Sequence, residues 1–108
     1  AATDVVQEGY GSSATMGVIL SLGRQKAFLR DGEWRCADLA LERRLNYLTT
    51  QWIVETGGPK LNSPDPEVET ARELERLTGG RVLLQSKSNA RKAARIYFAR
   101  RQYRLAFF

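Results

Sequence analysis

A chain of 108 residues, 43% apolar and 27% charged, has the length and composition of one globular domain with a single hydrophobic core. Its one cysteine, Cys36, excludes an internal disulfide, and the absence of histidine excludes a Ser-His-Asp or Cys-His catalytic group and the common Cys/His zinc site within this chain. The net charge of +5 points instead to an anionic partner. Apolar runs such as Val18-Ile19-Leu20 fall far short of the ~20 residues of a membrane helix, so no membrane span is expected. The cysteine usage fits a reducing compartment, and a cytoplasmic location is the expectation.

Residues 1–14 mix small and polar residues with two glycines and read as a flexible N-terminal arm. Residues 15–108 read as one α+β domain. Met16 to Leu22 is a short β-prone run ended by Gly23. Gln25 to Arg30 and Glu33 to Ala37 flank Asp31-Gly32, a hairpin signal, because a type I′ turn needs positive φ at both central positions. That turn sets Arg30 opposite Glu33, Leu29 opposite Trp34 and Ala27 opposite Cys36. Side-chain alternation then puts Ala27, Leu29, Trp34 and Cys36 on one apolar face, with Phe28 and Arg35 on the other.

Asp38 is an N-cap, and Leu41, Leu45, Leu48 and Trp52 recur at helical spacing as far as about Glu55. Gly57-Gly58-Pro59 ends this helix, and residues 56–64 read as a surface loop. A second helix opens with Asp65-Pro66 and acidic Glu67 and Glu69, buries Val68, Ala71, Leu74 and Leu77, and stops at Gly79-Gly80. Arg81 to Gln85 reads as a central strand, and Ser86 to Asn89 as a turn. A third helix follows from about Ala90 to Arg101. The closing residues, Gln102 to Phe108, extend this helix or form a last strand; the strand is the preferred reading. The predicted architecture is α+β, a mostly antiparallel sheet with three helices in the order β-β-β-α-α-β-α-β.

Charge is unevenly spread along this plan. Residues 1–80 carry nine Lys/Arg and all twelve Asp/Glu, whereas residues 81–108 carry eight Lys/Arg and no acid. Such a segment concentrates positive potential. On the third helix Arg91, Lys92 and Arg95 fall within about 100° of arc, at 3.6 residues per turn. Ser88 and Ala99 share that face, and Ala90, Ala93, Ala94 and Tyr97 oppose it. The candidate anion-binding residues are therefore Lys87, Arg91, Lys92, Arg95, Arg100 and Arg101. Ser86 to Asn89 reads chiefly as an N-cap, with an anion seat at the helix start as the sharper alternative. The competing reading of the basic stripe is plain solvated charge, or neutralisation by Glu67, Glu69, Glu73 and Glu75.

Phe28, beside Lys26, Arg30 and Arg35, is a candidate stacking ring for single strands. A sheet covered by helices on both faces buries it instead. Cys36 reads as a buried structural thiol, and Trp34 and Trp52 as core. No pattern calls for a catalytic residue, a metal or a cofactor. The leading expectation is a non-enzymatic nucleic-acid-binding or nucleoprotein accessory domain, with DNA or RNA as partner. The alternative is a protein-interaction or regulatory module whose basic end docks on an acidic protein surface in a larger assembly, aided by the N-terminal arm or the aromatic Phe107-Phe108.

Overall fold

The computed structural model describes residues 16–106, with side chains as far as Ala99. Three consecutive antiparallel strands, β1 (Met16–Leu22), β2 (Gln25–Arg30) and β3 (Glu33–Cys36), are followed by helices α1 (Leu39–Thr56) and α2 (Pro66–Thr78). A fourth strand, β4 (Arg81–Ser86), leads directly into α3 (Lys87–Ala106). The sheet order is β3-β2-β1-β4, and every pairing is antiparallel. The fold is α+β.

The hairpin between β2 and β3 has the geometry its sequence dictates. Asp31 and Gly32 both take positive φ, 52° and 82°, and the register pairs Arg30 with Glu33, Leu29 with Trp34 and Ala27 with Cys36. One face of the sheet thus gathers Val18, Leu20, Ala27, Leu29, Trp34, Cys36 and Val82. Leu45 of α1 and Ala71 and Leu74 of α2 close over it. Burying each large aliphatic side chain contributes about 1.5–3 kcal/mol, so this layer holds most of the fold's hydrophobic stabilisation. Asp38 caps α1 by accepting from Leu41 N–H at 3.1 Å, and Asp65 stands at the N-cap of α2 ahead of Pro66. Left-handed Gly57 and Gly79 end the two helices.

The other sheet face is covered by α3. Phe28 packs its ring 5.8 Å from Tyr97 and 6.2 Å from Phe98, and Ile19 is buried beside it in the sheet. Tyr97 Oη reaches the carbonyl of Arg24 in the β1–β2 turn at 3.5 Å. Ala90 lies so close to Gly17 that a Cβ there would collide with its methyl group. The small residues of α3 let the helix sit low on the sheet. The molecule has three layers, α1 and α2, the sheet, and α3.

Four expectations are corrected. The last strand is not formed as far as Ala106, because α3 continues through Gln102. Between Asn89 and Ala106 there is no Gly or Pro, and Ala, Arg, Leu and Gln propagate a helix once it has nucleated. Among the described residues β4 pairs with β1 alone and is an edge strand. α3 also begins earlier than Ala90, because Ser86 ends β4 and caps the helix in one step, its Oγ accepting from Asn89 N–H at 3.2 Å. Finally, Leu77 is 43% exposed, so α2 buries Val68, Ala71 and Leu74 more fully than its last turn. The arm over residues 1–14 and Phe107-Phe108 lie outside the described residues.

Candidate anion-binding site

Which side of α3 faces water follows from its docking. Ala90, Ala93, Ala94, Tyr97 and Phe98 turn to the sheet, which leaves Ser88, Arg91, Lys92, Arg95, Ile96 and Ala99 exposed. The predicted stripe is therefore on the solvent side. Lys87 is half-buried at the first turn. The side chains of Arg100 and Arg101 lie outside the described ones.

The decisive question is whether carboxylates of α2 neutralise this stripe. Three of the four are engaged elsewhere, while Glu67 stands near Lys87 and Arg91 with no salt bridge to either. Glu73 pairs with Arg76 at 2.6 Å and Glu75 with Arg72 at 3.3 Å, both within α2. Glu69 Oε2 accepts from the Lys60 backbone N–H at 3.2 Å. Among the described residues, no salt bridge includes Lys87, Arg91, Lys92 or Arg95. No acidic residue stands in the first turn of α3, so the positive end of its dipole is left uncompensated next to Lys87. Local potential is positive from three sources that add.

A cavity of about 410 Å³ opens beside this stripe, at the end of the sheet where β1 begins and β2 ends. Lys87 and Arg91 of α3 and Arg30 of β2 bring cations to it, while Asp31 and Glu67 bring carboxylates. Met16, Phe28 and Leu29 supply an apolar lining. Arg30 is bound loosely: its Nε lies 3.9 Å from Asp31 Oδ2, with the two side chains 74% and 93% exposed. Such an exposed pair is worth about 0–1 kcal/mol and is readily exchanged for a ligand anion. Arg30 is the functional candidate the sequence reading passed over. The hairpin register already places it on the Phe28 face; which helix covers that face is a tertiary fact.

Phe28 is 6% exposed, so of its two expected placements the structure has the buried one, and its ring is no open stacking platform. The cause is the docking of α3 on that face, with Tyr97 and Phe98 against the ring. Trp34 is fully buried, its Nε1 donating to Thr49 Oγ1 at 2.9 Å, and Trp52 is half-buried. Cys36 is buried, and burial pushes its thiol above the ordinary range, the opposite of what a nucleophile needs. Among the described residues no helix is long and apolar enough to cross a membrane, and no cluster of three or more potential ligands stands ready for a metal ion. Comparison with known protein families, curated proteins and solved structures gave no match.

Proposed function

We propose that this domain is a non-enzymatic nucleic-acid-binding or nucleoprotein accessory domain that holds a phosphate backbone on the outer face of α3. The observation that carries this reading is the exposure of Arg91, Lys92 and Arg95 on one face, with no salt bridge to any of them among the described residues. Charges not paired within the described residues are available to phosphates, and each phosphate neutralised releases condensed counterions. Ser88 and Ala99 on the same face leave room for close approach of a backbone.

The test is a salt titration of affinity for a mixed-sequence oligonucleotide. Three phosphate contacts give a log–log slope of about −2 to −3, and converting Arg91, Lys92 and Arg95 together to Glu abolishes binding and flattens the slope. A flat response of the parent protein across accessible salt defeats the proposal.

A second reading has its own observation. Ile96 is 56% exposed on α3, next to Arg95 and one turn from Lys92. An exposed apolar residue beside positive charge suits an acidic protein surface with an apolar anchor of its own. Ile96→Ala separates the two. It leaves oligonucleotide affinity within about twofold in the first reading, whereas loss of an anchor at a protein interface costs a factor of about ten.

A further inference from the structure

We propose that the cavity at the open end of the sheet seats one unpaired nucleotide, so that the domain selects single-stranded over duplex nucleic acid. The inference rests on the reading above, that α3 holds a phosphate backbone. It adds a second contact with different chemistry.

The cavity's cations come from two elements far apart in sequence. Arg30 ends β2, whereas Lys87 and Arg91 open α3, and the fold brings all three to one cavity. Arg91 belongs both to this cavity and to the outer stripe, so a backbone lying on α3 passes the cavity. The lining also includes Met16, Phe28 and Leu29, of which Met16 is the half-buried one and the other two are buried. A phosphate therefore has cations to bind, and a base has the half-buried Met16 side chain to rest against. Carboxylates accept and do not donate hydrogen bonds, so Asp31 and Glu67 suit the amino groups of a base or the hydroxyls of a sugar. A second phosphate would meet those carboxylates and be repelled, which limits the site to one nucleotide. The cavity's 410 Å³ agrees, standing near the lower end of the range of about 300–1,000 Å³ for small-molecule sites.

Selection for single strands follows from access. A base within a duplex must leave its stack to enter a recess, at a cost of a few kcal/mol that an unpaired base does not bear. The outer stripe makes no such distinction, because it reads only phosphates.

The experiment measures full-chain binding to one short DNA oligonucleotide, single-stranded and annealed to its complement, by fluorescence anisotropy. Two variants are compared: Arg30→Gln at the cavity, and the double variant Lys92→Gln with Arg95→Gln on the outer face. Thermal melts first confirm that both fold. The parent is expected to favour the single strand by about tenfold. The cavity variant loses that preference while its duplex affinity stays within about twofold, and the outer-face variant weakens both forms alike. A nucleoside monophosphate gives saturable NMR shifts at Met16 and Phe28 in the parent and none in the cavity variant. Absence of those shifts in the parent, or equal weakening of both forms by the cavity variant, overturns the nucleotide seat. The phosphate-backbone reading survives either result if the outer-face variant still weakens both forms, and falls if that variant changes neither.

Discussion

The side-chain amide of Asn46 stands in for a missing strand beside Trp34. Its Oδ1 accepts from Trp34 N–H at 2.7 Å, and its Nδ2 donates to the Trp34 carbonyl at 3.1 Å. Two residues on, Glu42 Oε1 accepts from Cys36 N–H at 2.9 Å. The outer edge of β3 is thereby closed by α1, a defence against edge-to-edge pairing. Asn46→Ala leaves the backbone N–H and carbonyl of Trp34 without their partner from α1 and is expected to lower stability by about 1–3 kcal/mol in urea unfolding. Asn46→Asp retains the acceptor and loses the donor, so its midpoint falls between those of parent and Ala variant. Light scattering at raised concentration should show more self-association for Asn46→Ala than for the parent. An Ala variant with parental midpoint and scattering refutes the edge-closing role.

The approach of α3 to the sheet depends on Gly17, where any Cβ meets the methyl of Ala90. Gly17→Ala is expected to cost about 1–3 kcal/mol by overpacking, and to loosen the contacts of Tyr97 and Phe98 with Phe28. Adding Ala90→Gly removes the clash at the cost of a helical glycine, about 1 kcal/mol, so the double variant recovers part of the loss. Double-mutant-cycle melts check this. Strict additivity of the two changes disproves the contact.

These two relationships mark how far the sequence alone can be read. The Asp31-Gly32 hairpin and its register are local, set by turn geometry and side-chain alternation, and so is the split of α3 into an alanine face and a cationic face. The capping of α1 and α2 by Asp38 and Asp65 is local as well. What is not local is how Asn46 meets Trp34, or that α3 covers Phe28, since both depend on which element packs against which face. The same holds for the cavity: Arg30 and Arg91 are 61 residues apart in a chain whose composition gives no hint that they converge. The end of α3 was misread for a different reason. Residues 102–106 satisfy both periodicities, and continuation of an existing helix outweighs the nucleation of a new strand.

Lys87 occupies the first turn of α3 without an acidic neighbour there, an arrangement that disfavours the helix and favours an anion. Lys87→Glu is expected to stabilise the protein by about 0.3–1 kcal/mol through the dipole while weakening oligonucleotide binding. Opposite signs for stability and affinity are the signature of a residue kept for its ligand. A variant that loses stability and affinity together would show that Lys87 supports the fold instead.

Acid sensitivity should centre on Glu75. Its Oε2 accepts from the backbone N–H of Val82 at 2.7 Å, tying the end of α2 to the exposed edge of β4, and its other oxygen lies 3.3 Å from Arg72. The Val82 N–H, followed by Arg72, holds the carboxyl below its ordinary value of 4.5. A depressed folded-state pKa means that the unfolded chain binds protons more readily. The stabilisation is therefore complete well above 4.5 and is lost as pH falls through that value toward the lower folded-state pKa. Glu73, lowered by its hydrogen bond to Arg76, acts in the same direction. Glu75→Gln keeps an acceptor for Val82 but has no charge to titrate, so its melting temperature should lie below the parent's near pH 7 and converge on it as pH drops below 4. Glu73→Gln should behave likewise, since its partner also favours the ionised form. Parallel melting curves for parent and Glu75→Gln across pH 3 to 7 would show that the Val82 contact owes nothing to the carboxylate charge.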